Sequence, residues 1–304
     1  MNILCAVDGS ECSDWAVEVI GTLFHQSLQE LCLVNVIDTT HLRQSLKQDG
    51  AVPEQVKHAI KSLEKEAKRL LKMYEHKATL AIGQAVTTPF SSLRSIVARG
   101  HVAETIVKQT EKRKPDLVVV GSRGASDLRG YLLGSVSRKV LSHAPSAVLT
   151  VKGPMPVSVH ALIAADGSKA SGLAVQKVKS WTLPDSVSLH ILSVVPDMLT
   201  DIAPQIFSKK RLKALTQPFN LRAHEIATQY REIFLKEGYP VTSDVRTGNP
   251  RDVIIEAITK KKTDLAILGS KGLTGVERFQ MGSVSEWVAA YASCSVLVVR
   301  PSLS

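Results

Sequence analysis

Short, mostly apolar runs alternate with longer amphipathic segments along this chain. In its first half the runs are ILCAV (3–7), LCLVNV (31–36), LRSIVA (93–98), LVVV (117–120) and AVLTV (147–151). The segments between them place apolar residues at i, i+3 and i+4, a spacing that predicts helices. Short apolar runs without polar alternation predict parallel strands covered on both faces. The alternation of strands and helices predicts βαβ crossovers and an α/β fold.

The same pattern occurs twice. AVDGSECSDWAV (6–17) matches AADGSKASGLAV (164–175), and PDLVVVGSRG (115–124) matches TDLAILGSKG (263–272). Between these two matches the offset falls from 158 to 148 residues, so the first copy holds ten extra residues there. A repeat of this length indicates a duplicated domain, with the extra residues in a segment that tolerates insertion.

We therefore predict two consecutive domains, residues 1–153 and 157–304. Each is expected to be Rossmann-like, with a five-stranded parallel sheet flanked by helices. The stretch KGPMPVS (152–158) contains one glycine and two prolines, a composition typical of a linker.

A glycine frame recurs in both copies as G-x-x-G, nine residues, then G-S. It comprises Gly121, Gly124, Gly134 and Ser135 in the first copy, and Gly269, Gly272, Gly282 and Ser283 in the second. The first glycine ends a predicted strand, where we expect a positive φ and close approach of a ligand. The G-S pair precedes a predicted helix, whose free N–H groups and positive dipole end favour phosphate. The serine is expected to cap that helix or to donate to phosphate, and the nine residues to wrap the phosphates.

A purely structural interpretation fits the same residues, with the glycines as turns and the serines as caps. Asp8 and Asp166, in the D-G-S stretches, are equally compatible with turn or helix-cap roles. Two copies with identical spacing favour phosphate binding, although shared ancestry means that the copies are not independent tests.

The frame resembles the G-x-x-G, nine residues, G-[ST] motif of the universal stress protein family, in its ATP-binding branch. The resemblance covers essentially the whole chain as a tandem pair. It implies the adenine nucleotide alpha hydrolase-like fold, reversible ATP binding in each domain and a role in stress survival. It also implies an acidic residue near the ribose at Asp8 and Asp166, and backbone contact with adenine at Val36 and Val194. Where family members often have His or Asn in the first glycine turn, this chain has Arg123 and Lys271.

The motif and the resemblance together define a candidate nucleotide site in each copy. In the first copy its residues are Ala6, Asp8, Val36, Gly121, Arg123, Gly124, Gly134, Ser135, Val136 and Ser137. In the second copy they are Ala164, Asp166, Val194, Gly269, Lys271, Gly272, Gly282, Ser283, Val284 and Ser285.

Catalytic and metal-binding motifs do not stand out. The nine histidines show no paired ligand spacing, and the four cysteines show no C-x-x-C. We therefore expect no catalytic residues, no resident metal and at most very slow ATP hydrolysis, with Mg²⁺ arriving together with the nucleotide.

Charge and composition leave other functions open. The net charge of +10 is compatible with a nucleic-acid partner, but only 5% of residues are aromatic and the basic residues are spread over predicted helix faces, which disfavours one. A scaffold that recruits a protein partner is the other alternative. The cysteine usage and the lack of a signal sequence or a 20-residue apolar run predict a cytoplasmic protein without a membrane span.

The two copies are also expected to pair. AVLTV (147–151) and SVLVVR (295–300) are predicted edge strands, and an uncovered edge favours aggregation. Their mutual pairing would form a pseudo-dimer within one chain, as the family usually pairs, and a homodimer of chains is a further possibility.

Overall fold

The structure is a computed structural model that describes residues 1–40, 54–83, 92–124, 133–197, 209–272 and 281–300. The chain divides into two compact units, Met1–Met155 and Pro156–Pro301. Each unit contains five strands within its described residues, as the alternating apolar runs predict.

The first unit alternates strands with helices in the predicted order. Its elements are β1 (Asn2–Ala6), α1 (Glu11–Phe24), β2 (Glu30–Ile37), α2 (Glu54–Gly83), β3 (Ser92–Arg99), α3 (Val102–Arg113), β4 (Leu117–Gly121), α4 (Ser135–His143) and β5 (Ala147–Val151).

The second unit repeats this order. Its elements are β6 (Val159–Ala164), α5 (Lys169–Ser180), β7 (Val187–Val195), α6 (Lys209–Lys236), β8 (Val241–Thr247), α7 (Pro250–Lys260), β9 (Leu265–Gly269), α8 (Ser283–Tyr291) and β10 (Ser295–Val299).

All strand pairs within each unit are parallel. The order is β3-β2-β1-β4-β5 in the first unit and β10-β9-β6-β7-β8 in the second. The central strands are buried on both faces, with Leu4 and Val119 at 0% exposure. The predicted α/β fold class is thus confirmed. The order reverses between β1 and β4, and between β6 and β9, and in sheets of this kind ligands bind beyond the carboxyl ends of the strands at that point.

The long helix of each unit packs over the glycine that follows the first strand. A Cβ built on Gly9 would lie 3.4 Å from Leu70 of α2, and one built on Gly167 would lie 2.4 Å from Ile226 of α6. Leu70 and Ile226 thus occupy equivalent positions, 156 residues apart. Of the ten extra residues of the first copy, two therefore precede Leu70 and eight follow it, before Gly100.

Helix α2 extends beyond VKHAIKSLEKEAKRLLKMY (56–74), one of the amphipathic segments between the apolar runs that predict helices. The helix continues to Gly83 because the sequence keeps an apolar face at a spacing of four residues. Tyr74, Ala78 and Ile82 on this face are almost completely buried.

Among the helices that the structure describes, none combines the length and the apolar character needed to cross a lipid bilayer. All four cysteines are buried and form no disulfide.

Candidate functional site

A cavity of about 370 Å³ lies at the carboxyl edge of the second unit's sheet, at the point where the strand order reverses. Its volume falls within the range of roughly 300–1,000 Å³ usual for small-molecule sites. Most of the residues predicted for this copy line it, namely Ala164, Asp166, Val194, Gly269, Lys271, Gly272, Val284 and Ser285. Gly282 and Ser283 adjoin this group in the chain but are not among the lining residues.

The aspartate after the first strand organises the turn beneath the cavity. Asp166 Oδ1 accepts a hydrogen bond from Ser168 N at 2.9 Å. Its other oxygen, Oδ2, lies 3.0 Å from the position that a Cβ on Gly272 would take. Asp166 therefore connects the first turn of the unit to the glycine frame while presenting a carboxylate at the cavity.

The helix that follows this turn is capped by a serine and not by the aspartate. Ser168 Oγ accepts from Ser171 N at 3.1 Å and donates to Lys271 O at 3.2 Å. The turn role suggested for Asp166 is therefore present, whereas the alternative role as a helix cap is wrong.

The first glycine of each frame has a role that the sequence did not predict. Gly121 and Gly269 do not have a positive φ, in contrast to the expectation from the sequence. Instead, a Cβ on Gly269 would lie 2.5 Å from the carbonyl carbon of Ala170, and one on Gly121 would lie 2.7 Å from Cys12 Cβ. These glycines are required because a helix start packs directly against the strand end. The helix is α5 at Gly269 and α1 at Gly121.

The second half of the frame forms the start of a helix. Gly134 and Gly282 are the N-cap residues of α4 and α8, so the expectation that Ser135 and Ser283 cap these helices is wrong. Both serines are the first residues of their helices and are exposed. In α8 the first helical bond runs from Glu286 N to Gly282 O at 3.0 Å. The N–H groups of residues 283–285 therefore lack an acceptor within the helix and form the positive end of its dipole.

Ser137 and Ser285 fix the helix start against the strand end. Ser285 Oγ donates to Gly269 O at 2.6 Å, and Ser137 Oγ donates to Gly121 O at 2.5 Å. Since both side chains are buried and donate their protons to the backbone, their role is to position the helix N-terminus. In the nine-residue segments predicted to wrap the phosphates, residues 125–132 and 273–280 lie outside the described residues.

One wall of the cavity was missed by the sequence reasoning. Phe219, Arg222, Ala223 and Ile226 of α6 line it, together with Pro250 and Ile254 at the start of α7. The i, i+4, i+7 spacing of Phe219, Ala223 and Ile226 marks one face of α6, but it does not tell which element that face meets. Only the packing of Ile226 over Gly167 shows this.

The first unit repeats the geometry of the turn and frame. Asp8 Oδ1 accepts from Ser10 N at 3.0 Å and from Ser13 Oγ at 2.7 Å. Its Oδ2 lies 2.9 Å from the position of a Cβ on Gly124. Ala6 is the last residue of β1, and Val36 is the penultimate residue of the adjacent strand β2. Ser10 caps α1, so here too the aspartate is a turn residue.

Tyr74 is buried beneath this turn. Burial raises the pKa of the Tyr74 hydroxyl well above its usual range, and the neighbouring carboxylates of Asp14 and Asp8 raise it further. The phenol therefore stays neutral, and it adds no charge behind the turn.

A different cavity, of about 480 Å³, opens in the first unit between the end of β3 and the start of α3. Arg99, His101 and Lys108 are among its lining residues, and none of the predicted site residues belongs to it. Within the described ranges, no three His, Cys, Asp or Glu side chains are grouped as metal ligands would be.

The sequence matches a known family twice. The model of the Universal stress protein family matches residues 1–152 and again 160–300. A putative universal stress protein of Staphylococcus aureus strain USA300 is 31% identical over 141 residues, which are 46% of this chain and 82% of that protein. That relative therefore corresponds to about one of the two copies.

Solved structures of tandem length share the fold. A universal stress protein from Archaeoglobus fulgidus DSM 4304 has a TM-score of 0.64 at 23% identity, covering 99% of this chain and 97% of that one. A putative universal stress protein from Pseudomonas aeruginosa UCBPP-PA14 has a TM-score of 0.61 at 16% identity, and the match covers 99% of this chain and 93% of that one. With two family matches that together span nearly the whole chain, this protein belongs to the universal stress protein family as a tandem of two of its domains.

Proposed function

We propose that each unit binds an adenine nucleotide, with ATP as the main ligand, and that the protein acts as a stress-response regulator. The observation that carries this proposal is the cavity of the second unit, which joins a carboxylate, the strand ends and a helix N-terminus around about 370 Å³.

Each part of this cavity suits one part of a nucleotide. The apolar side chains of Val194, Ile226 and Ile254 offer a surface for a base. Asp166 presents a carboxylate that can accept from ribose hydroxyl groups. The free N–H groups at the start of α8, near Lys271, favour the negative charge of phosphate.

Efficient catalysis is not part of this proposal. Phosphoryl transfer depends on acidic groups that hold metal ions and position the attacking water. Asp166 is the one acidic side chain among the described residues that line the cavity, and its Oδ1 accepts from the backbone of the turn. We propose at most slow hydrolysis, with Mg²⁺ entering together with the nucleotide.

Calorimetry with ATP tests the proposal. The full chain should bind two ATP molecules, whereas Gly124→Val and Gly272→Val should each bind one. A valine at either position places its Cβ within about 3 Å of the aspartate Oδ2 and its methyl groups in the path of the phosphates.

Gly153→Val is the matched control, because a Cβ at Gly153 has no atom within 4 Å, and it should still bind two ATP molecules. A wild-type protein that binds no ATP would contradict the proposal, and one that binds a single ATP would limit it to one unit.

A further inference from the structure

The two long helices can be compared residue by residue. Leu70 and Ile226 occupy the same position over Gly9 and Gly167. One turn earlier, Ala67 and Ala223 are both 6% exposed, which confirms the same register. Equivalent residues of α2 and α6 are therefore 156 positions apart, and each residue of the cavity wall has a defined counterpart in the first unit.

Two residues of this wall differ in chemistry between the units. Arg222 lines the cavity of the second unit, and its counterpart in α2 is Glu66. Phe219 is likewise replaced by Leu63, and both of these side chains are partly exposed, at 58% and 40%. At the frame, by contrast, both units carry a cation, Arg123 or Lys271. The long helix is therefore one place where the charges of the two sites differ.

From this difference we propose that the second unit is the tighter nucleotide site and that Arg222 makes it selective for phosphorylated ligands. The inference rests on the nucleotide binding proposed above. In the first unit the carboxylate of Glu66 takes the place of the guanidinium, so that site is weaker and discriminates less between ATP and adenosine.

The physical reason is the pairing of guanidinium with phosphate. Arginine binds phosphate through charge-assisted, often bidentate hydrogen bonds. The side chain of Arg222 is 67% exposed and pairs with Glu225 at 3.2 Å, one turn along the same helix. Because an exposed pair of this kind contributes little to stability, Arg222 is free to exchange it for a phosphate.

Phe219 adds a second difference. An aromatic ring at the edge of the cavity can stack on a nucleobase, and an aliphatic leucine cannot do so to the same extent. Since adenosine and ATP share the base, Phe219 should tighten both ligands, whereas Arg222 should tighten ATP alone.

The test isolates each site in the full-length chain. Gly124→Val leaves the second site and Gly272→Val leaves the first, and calorimetry gives the dissociation constants of ATP and adenosine in each background. We expect ATP to bind the second site at least about tenfold more tightly than the first, the effect of one charged hydrogen bond. Arg222→Glu should abolish most of this difference in ATP affinity while changing the dissociation constant of adenosine less than about twofold. Glu66→Arg should tighten ATP at the first site.

Lys236→Glu is the matched control for net charge. Lys236 is an exposed cation of the same helix, about 21 Å from Arg222 along the axis at 1.5 Å per residue. This is more than two Debye lengths at about 0.15 M salt, so ATP binding should not change.

Equal dissociation constants of ATP at the two sites would overturn the inference and leave the proposed function intact. An Arg222→Glu variant that loses ATP and adenosine equally would also overturn it, because that result indicates a structural effect. Absence of ATP binding by the wild-type chain would instead contradict the proposed function itself.

Discussion

At the scale of single residues, several residues of the glycine frame have packing roles. Gly121 and Gly269 are needed for close contact between a helix and a strand end. Ser137 and Ser285 satisfy the carbonyl groups of those same glycines. Much of the motif therefore builds the framework of the site.

These packing roles predict different effects for two serines of one helix. Ser285→Ala should lower the free energy of unfolding by about 1–3 kcal/mol, because the Gly269 carbonyl loses its hydrogen bond in a buried position. Ser283→Ala, two residues earlier at an exposed position, should stay within roughly 0.5 kcal/mol of the wild type. Denaturant unfolding without ligand measures both variants. Equal losses for the two variants would show that the Ser285 hydrogen bond has no special role.

At the scale of elements, neighbouring strands of the second unit enclose a histidine. His190 of β7 is 8% exposed, and its Nδ1 lies 2.8 Å from Thr242 Oγ1 of β8. Its Nε2 is buried without a hydrogen-bond partner in the described part of the chain. Burial, with Lys261 as a second cause, lowers the pKa of His190 from 6.5 to about 4.

The lowered pKa predicts a loss of stability in acid. Between pH 6.5 and about 4 the unfolded chain binds a proton at His190 that the folded unit does not. The free energy of unfolding is therefore unaffected by protonation of this residue above pH 6.5. It decreases as the pH falls through this window, by up to about 3 kcal/mol. Unfolding free energies measured from pH 7.5 to 4.5 should fall more steeply for the wild type than for His190→Gln. Parallel curves would show that His190 does not contribute.

At the scale of the whole molecule, the chain is a duplication in which each unit keeps the same strand order and the same frame. The parts that the two copies share build the turn, the helix N-terminus and the strand ends. Among the parts that differ, Glu66 and Arg222 lie on the long helices. The predicted pairing of the final strands and the homodimer of chains stay predictions from the sequence.

A ligand that carries phosphates should therefore stabilise the full chain more than the same ligand without them. A ligand at about 100 times its dissociation constant stabilises its site by roughly 2.7 kcal/mol. At equal concentration, ATP should raise the melting temperature more than adenosine does, because the start of each frame helix favours phosphate. Thermal unfolding with each ligand measures the difference. Identical shifts would exclude a phosphate role for these helix starts.

The sequence by itself determined the elements, the duplication and the location of the candidate site. Strands such as LVVV and helices such as α3 follow from local hydrophobic periodicity, which depends on residues close together in the chain. The frame could be found in the same way, since its spacing is a local property and the parallel strand order places it at the sheet edge.

Only the tertiary structure decided how the frame is used and what completes the site. The contacts of Gly269 with Ala170, of Ser285 with the Gly269 carbonyl, and of Ile226 with Gly167 join residues far apart in the sequence. Periodicity shows that a helix has an apolar face, but the partner of that face is fixed by packing against other elements. For this reason the glycine turn expected at Gly269 proved to be a helix contact, and the wall that carries Phe219 and Arg222 emerged only from the fold.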